Sequence, residues 1–410
     1  MDESRPEGKK RLAVLVSELG MGGMGKMRIQ LMNALVAAGV SVDLLYGNEK
    51  SAYSLADLDA RVRVLRLHTT HPVTGIPQLA RYLRRVGPDA LLAQRIRVNV
   101  LALRARRAAG TATRVYSTVN THMSRALEEF PPGKRRQRLA AIRRFYPRND
   151  RIIAVSRGAA EDFASLLGWK RGSIPVAPNP VFTPGLEDRA REGPDHPWFA
   201  PGAPPVVLGI GRLAYQKDFA TLIRAFADFR RTHQARLVIL GQGPLRRDLL
   251  ALGQELGIGK DLDLPGFAAN PYAYLAGSAL YVLSSAWEGS PNALVEAMAM
   301  GTPVVATDCP SGPREILEDG RLAPLVRVGD AGALAAAMSR VYSDPPEPAP
   351  GKERARGHFS AARSAEAFME IMGLSDGQEP SERAGRVAPA GQATTEGGPV
   401  YRSPADAGSS

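Results

Sequence analysis

At 410 residues, with 44% hydrophobic and 23% charged residues, the chain has the composition of an ordinary soluble protein long enough for two domains, each with its own core. It has no run of eighteen apolar residues able to cross a membrane, its polar opening to Arg11 lacks the apolar core of a secretory signal, and one cysteine, Cys309, excludes an intrachain disulfide framework. A reducing cytoplasm is the expected compartment, with Cys309 as core filler rather than nucleophile.

The net charge of +12 asks for a polyanionic neighbour. Between Arg81 and Arg148 seventeen Lys or Arg stand against three acids, densest at Lys134-Arg135-Arg136-Gln137-Arg138 with Arg143 and Arg144 beyond. An anionic membrane surface fits such a run, each cation there contributing about 1 kcal/mol. Nucleic acid does not, because interleaved aromatics and recognisable binding modules are missing. A simply solvated face stays open.

Taken in order, residues 11–17 read as a buried strand feeding Gly20-Met-Gly22-Gly23-Met-Gly25-Lys26 and a helix that runs to Ala38. A strand, a glycine turn and a helix start make a cradle for phosphate. The stretch also satisfies G-x-G-x-x-G with Asp43 at the end of the next strand, as a nicotinamide-binding fold would, and nearly satisfies a P-loop, except that Met27 replaces the magnesium-binding hydroxyl. Strands at 42–46, 62–67, 90–93, 114–117 and 151–155 alternate with helices at 76–86, 99–109 and 134–146, which is the pattern of a parallel sheet covered on both faces. His122 follows a strand end, where ligands meet such sheets, and is a candidate for catalysis or for a structural role. Two D-x-D triplets, at Asp57 and Asp261, read as ordinary strand-flanking caps, and no metal-ligand cluster is evident.

Residues 183–205 turn to Pro, Gly and charge and read as an interdomain linker. A second strand-and-helix series opens at 206–213, where Arg212 and Lys217 flank a strand-to-helix turn and can reach one anionic group. Residues 237–240 form a strand ending in Gly241-Gln242-Gly243-Pro244, and 280–284 a strand delivering Glu288. Glu288 and Glu296 stand eight positions apart, the first on a Gly289/Pro291 turn and the second about one and a half turns inside an apolar helix closed by Gly301. A buried carboxylate needs a partner, and sugar or ribose hydroxyls are donors of the right kind. An Arg partner for Glu296 and a solvated Glu288 are the plainer alternative. Helices follow at 330–342 and 358–372, joined by a Pro-rich connector at 343–351, and 375–410 reads as a disordered tail.

The stretch from Glu288 to Asp308, together with Gly211-Arg212-Leu213 to Lys217-Asp218 and Asn179-Pro180, closely resembles the E-x7-E signature and diphosphate-binding pattern of retaining glycosyltransferases of family 4. The resemblance covers about 11–374, most strongly in the second half. It implies an α/β chain of GT-B architecture, two Rossmann-like doubly wound domains facing a central cleft: 1–182 on the acceptor side, 206–350 for the nucleotide-sugar, and 351–374 packing back on the first domain. It implies a metal-independent hexosyltransferase whose co-substrate is a nucleotide-sugar, most commonly a UDP-sugar, and whose acceptor is a glycan or lipid-linked intermediate of cell-surface polysaccharide or lipopolysaccharide assembly. In that scheme Glu288 contacts the donor sugar, Glu296 the ribose, and Arg212 and Lys217 the diphosphate. Gly22, Gly23, Gly243, Ser290, Pro291, Asn292 and Leu294 line the donor, and His122 stands near the reacting sugar. Two departures appear: Val119 holds the position where many relatives have histidine, and Ser311-Gly312 replaces a Gly-Gly pair. A sugar-nucleotide epimerase of the same fold and a nicotinamide-dependent oxidoreductase are the alternatives.

Overall fold

The computed structural model describes residues 9–18, 22–47, 55 and 57–375. Gly20 and the expected disordered tail from 376 onward lie outside the described residues.

Uninterrupted apolar runs such as Leu12-Ala-Val-Leu-Val16 bury both faces of a strand, which only a parallel sheet with helices on each side permits. The first sheet joins β1 (Arg11–Val16), β2 (Ser41–Tyr46), β3 (Arg63–Arg66), β4 (Ala90–Gln94), β5 (Arg114–Val119) and β6 (Arg151–Ala154) in the order β3-β2-β1-β4-β5-β6, all parallel. The second joins β7 (Val206–Ile210), β8 (Arg236–Leu240), β9 (Leu262–Gly266), β10 (Leu280–Leu283), β11 (Val304–Thr307) and β12 (Leu325–Val326) in the order β12-β11-β10-β7-β8-β9, again parallel. Counted from its own first strand, each sheet has the same order. Each therefore reverses direction beside its first strand, between β1 and β4 and between β7 and β10, and ligands of doubly wound sheets sit at such points. Glu288 follows β10 and the Arg212–Lys217 turn follows β7.

The helix Ile76–Val86 has the expected bounds. The next begins at Ile96, earlier than its apolar period suggests. Short helices at Met123–Glu128 and Pro313–Ile316 escape periodicity because one or two turns give no repeat to count. The Pro-rich stretch after 343 turns helical at Ala349–His358, since proline in a first turn lacks only an N–H that would be unpaired anyway. Within 183–205, where only a connector is expected, a helix forms at Leu186–Arg191 and a 3-10 turn at Pro197–Phe199. Here His196 binds Asp263 at 2.9 Å and packs edge-on with Trp198, Phe199 and Tyr274, so aromatic burial fixes the segment to the second sheet's flank.

The chain crosses between the sheets twice, and the crossings are hydrogen-bonded to each other. Val181 and Phe182 N–H both donate to the Phe359 carbonyl at 2.9 Å, and Ala361 N–H returns to Phe182 at 2.9 Å. Beyond them the helix Ala361–Met372 lies against the first helix, Gly23–Ala37, and places Phe368 and Met372 in the first sheet's core beside Met32 and Leu35. Tyr116 hydroxyl donates to the Met372 carbonyl at 3.0 Å and Ser364 hydroxyl to that of Pro178 at 2.7 Å. The last helix of the described residues thus completes the first sheet's core. Phe368→Ala is expected to destabilise the protein by about 3–5 kcal/mol, as large-to-small core changes do, measured by urea unfolding. A loss below about 1 kcal/mol would show that this helix docks superficially.

Candidate active site

Glu288 is placed by a chain of contacts that starts in the turn after β7. That turn, 3-10 helical at Tyr215–Lys217, ends at Asp218, whose carboxylate accepts Thr221 N–H at 3.3 Å and hydroxyl at 2.7 Å and so caps the next helix. Ser284 hydroxyl donates to the Lys217 carbonyl at 2.8 Å, Ala286 N–H to the Gln216 carbonyl at 2.8 Å, and the Gln216 amide to the Trp287 carbonyl at 3.0 Å. The loop after β10 is thereby pinned to the loop after β7. The Glu288 carboxylate, 5% exposed, then meets Lys217 Nζ at 2.5 Å and accepts Ser285 hydroxyl at 2.6 Å. Arg212 is exposed on the same turn and, among the described residues, its guanidinium has no ion pair. Gly243 belongs to this frame, since a side chain there would meet the Leu213 carbonyl at 2.3 Å. One cation, Lys217, therefore meets a buried carboxylate while a second, Arg212, is exposed on the same turn, an arrangement suited to a ligand that carries both phosphate and hydroxyls.

Ser290 and Pro291 turn the chain into the helix Asn292–Met300, of which Glu296 is the fifth residue and 5% exposed. Its partner is not an Arg of its own domain but Lys26, whose Nζ lies 3.1 Å from Oε1 and 3.9 Å from the centroid of the Tyr272 ring. Lys26 stands on the first turn of the helix that begins at Gly23, and Gly22 precedes that helix with φ of 117°. A side chain on Gly23 would lie 3.5 Å from Asn292 Nδ2. The glycine turn and the Glu296 helix thus face each other across the cleft. Leu294 points into the apolar core of the second sheet, which leaves its backbone for any ligand contact.

The first sheet grips the Glu288 turn directly. His122 N–H donates to the Glu288 carbonyl at 2.8 Å, and Ser156 hydroxyl donates to that of Gly289 at 2.6 Å. Gly289 permits this approach, because a Cβ there would stand 2.2 Å from the Asn120 carbonyl oxygen. Asn179 donates to Asn292 at 2.8 Å, and the Glu315 carboxylate accepts the N–H groups of Arg157 and Gly158 at 2.9 and 2.8 Å, at the start of the helix Arg157–Leu167. His122 itself lies with Nδ1 3.4 Å from Asp162, and burial lowers its pKa. Sequence reasoning missed Lys26, Ser285 and Gln216. Lys26 stood in plain view beside the glycines, but nothing local says that it reaches a carboxylate 270 positions away.

The oxidoreductase alternative loses its ribose-binding acid. Asp43 is buried in the middle of β2, not at its end, and its carboxylate is taken by Arg63 and by the Tyr82 hydroxyl. Three of the four D-x-D acids are likewise engaged: Asp59 with Arg61, Asp261 with Arg230, and Asp263 with His196. Among the described residues no group of three or more His, Cys, Asp or Glu is placed to hold a metal. Cys309 is 3% exposed, and burial pushes its thiol pKa well up, which suits a filler.

Compared with known proteins, residues 21–183 match the family described as Glycosyltransferase Family 4 and residues 204–344 the family described as Glycosyl transferases group 1. The chain is 30% identical over 277 residues to the lipopolysaccharide core biosynthesis glycosyltransferase LpsD of Rhizobium meliloti, which spans 61% of this chain and 77% of LpsD. It is 27% identical over 342 residues to the N-acetylgalactosamine-N,N'-diacetylbacillosaminyl-diphospho-undecaprenol 4-alpha-N-acetylgalactosaminyltransferase of Campylobacter jejuni, spanning 82% of this chain and 91% of that one. Among solved structures, Anabaena HepE in complex with UDP and glucose has the same fold, with a TM-score of 0.71 at 19% identity over 89% of this chain and 99% of that one. The lipopolysaccharide outer core galactosyltransferase WaaB in its apo form gives a TM-score of 0.64 at 19% identity, over 88% of this chain and 99% of that one. With matching sequence in both halves and the same two-sheet architecture throughout, the chain belongs to the family 4 glycosyltransferases and is a glycosyltransferase of the GT-B fold.

Proposed function

We propose that this glycosyltransferase moves a sugar from a UDP-sugar to a glycan or lipid-linked acceptor in cell-surface polysaccharide assembly, with retention of anomeric configuration and without a divalent metal. The observation that carries the reading is the pair of buried carboxylates, Glu288 beside Lys217 and Glu296 beside Lys26, on one wall of the cleft opposite Gly22 and Gly23. Glu296 takes the ribose hydroxyls and Glu288 those of the donor sugar. Lys217 and Arg212 neutralise the charge that grows on the departing diphosphate, the electrostatic work that dominates such reactions. Ser290, Pro291 and Asn292 line the donor where they enter the helix, Leu294 by its backbone, and Gly243 by holding the turn that carries Arg212. The leaving phosphate oxygen takes the acceptor's proton in this reading, and His122, whose backbone N–H donates to the Glu288 carbonyl, stands at the same turn. Support for the acceptor class comes from the relatives, named for lipopolysaccharide core biosynthesis and for a diphospho-undecaprenol substrate, and the UDP preference from HepE, solved with UDP and glucose.

The basic helix Pro132–Phe145 supports work at an anionic membrane surface on the cytoplasmic side. Lys134, Arg135 and Arg136 are exposed on it, and no helix of the described residues is long and apolar enough to cross a bilayer.

Thermal unfolding with UDP, GDP, ADP or NAD, in EDTA, tests the reading. One nucleoside diphosphate, UDP, is expected to stabilise the wild type by about 2.7 kcal/mol at one hundred times its dissociation constant. Glu296→Ala abolishes the effect while staying folded, since Lys26, 29% exposed, can turn to solvent. Stabilisation by NAD alone, or only with added metal, would overturn it. For turnover, Lys217→Ala is expected to lower kcat by about 10²–10³, the scale for losing one preorganised contact to developing charge, with a smaller change in KM for the donor. Equal kcat in the two proteins would remove Lys217 from the transition state. Reversing Lys134, Arg135 and Arg136 to Glu is expected to cut binding to phosphatidylserine vesicles steeply at low salt, at about 1 kcal/mol per cation removed, with binding to neutral vesicles unchanged. Unaltered sedimentation with the anionic vesicles would leave this helix as a solvated face.

A further inference from the structure

On the far side of the Glu288 turn from Lys217 lies a cavity of about 670 Å³, within the usual range for small-molecule sites. The helix Arg157–Leu167 gives it a floor through Glu161 and Asp162. Trp169, just past that helix, gives a flat apolar wall, His122 closes one end, and Ser311 reaches in from the second sheet. The Glu288 turn is clamped between these two sides: His122 N–H donates to its carbonyl at 2.8 Å, and its own N–H donates to Pro310 at 3.0 Å. The cavity therefore abuts the backbone of the turn whose carboxylate, on the other side, is assigned to the donor sugar.

We propose that this cavity is the acceptor's saccharide subsite, taking a neutral sugar ring stacked on Trp169. The inference rests on the transferase reading above and deepens it. Charge selects the ligand class. Glu161 and Asp162 line the cavity against one cation, Arg171, which is itself 3.7 Å from Glu161, so a phosphate or carboxylate ligand meets repulsion. Hydroxyls meet the opposite. The Asp162 side chain is 6% exposed and uses one oxygen on Ser124 N–H at 3.0 Å, while its other oxygen lies 3.4 Å from His122 Nδ1. The Ser311 hydroxyl is buried with no hydrogen-bond partner among the described residues. Buried polar groups left unsatisfied are costly, and a polyhydroxyl ligand satisfies donors and acceptors together. Burial lowers the His122 pKa and so favours the neutral ring, which carries one donor and one acceptor. Trp169, half-buried, presents the apolar face that the C–H side of a sugar ring requires.

The surroundings give direction to a larger acceptor. The basic helix Pro132–Phe145 packs against the helix that forms the cavity floor, with Arg143 Nε donating to the Leu166 carbonyl at 3.1 Å. An acceptor with its sugar on Trp169 and a phosphate-bearing anchor on the basic helix spans adjacent parts of one domain.

The test uses the full chain saturated with UDP. Saturation-transfer NMR with methyl glycosides of glucose, galactose, N-acetylglucosamine and N-acetylgalactosamine is expected to show binding of at least one. Trp169→Ala should weaken it at least tenfold, and Trp169→Phe should retain it within a few-fold. UDP-induced thermal stabilisation should be the same in all three proteins. Absence of glycoside binding by the UDP-saturated wild type, or binding indifferent to Trp169→Ala, overturns the subsite while leaving the donor reading intact. A wild type that UDP fails to stabilise marks failure of the transferase reading instead, before any glycoside is added.

Discussion

Two carboxylates are buried in the cleft of this protein, and neither can be left bare. An unpaired buried charge costs several kcal/mol, so the fold must supply each with a cation or with a dense set of donors. Glu288 receives Lys217 and Ser285 from its own domain, whereas Glu296 receives Lys26 from the other. The first pair holds together the loops after β7 and β10. The second ties the two sheets to each other. Much of the surrounding geometry follows from these two requirements, including the hydrogen bonds that pin residues 284–287 to 216–217 and the close meeting of the glycine turn with Asn292.

The two sheets share one strand order, yet they contribute unequally. The second carries Arg212, Lys217, Glu288 and Glu296, all from loops at the ends of its central strands or from the helix that follows. The first contributes one cation, Lys26, and otherwise backbone and small groups: Gly22, Gly23, the His122 N–H and the Ser156 hydroxyl. That division suits a cleft in which one wall binds charge and the other closes over it. The two crossing segments are bonded to each other through Phe182 and Phe359, so the sheets are joined by one paired strap. Pro175, Pro178 and Pro180 stiffen its approach.

The alternation of apolar strands and amphipathic helices made both sheets legible, since a strand buried on both faces has no other way to appear in sequence. Glu288 and Glu296 were legible for a different reason. A carboxylate in a helix as apolar as Asn292–Met300 is conspicuous, and Gly289 and Pro291 marked the turn before it. Illegible were the groups whose roles depend on the packing of one sheet against the other. Lys26 reads as a helix-start cation until Glu296 is placed beside it, and Trp169 as an ordinary boundary aromatic until Ser311 is brought opposite. The stretch 183–205 misled through composition. Its Pro and Gly content describes backbone preference, while Trp198 and Phe199 decide where it packs.

The ion pairs also bear on how the donor enters. Each lysine now satisfies a carboxylate, so on the proposed reading the donor binds by exchanging partners and not by filling vacant ones. A diphosphate arriving at Arg212 and Lys217 draws Lys217 from Glu288, and the sugar hydroxyls compensate the carboxylate that is released. The ribose hydroxyls do the same at Glu296 and free Lys26, which stands on the first turn of a helix whose positive end already favours phosphate. No step leaves a charge buried alone. A nucleotide without its sugar completes only half of the exchange at Glu288, and water that follows a released carboxylate would compete with the acceptor. On the same reading the interdomain hydrogen bonds around Gly289 oppose that loss, because they hold the first domain against the turn.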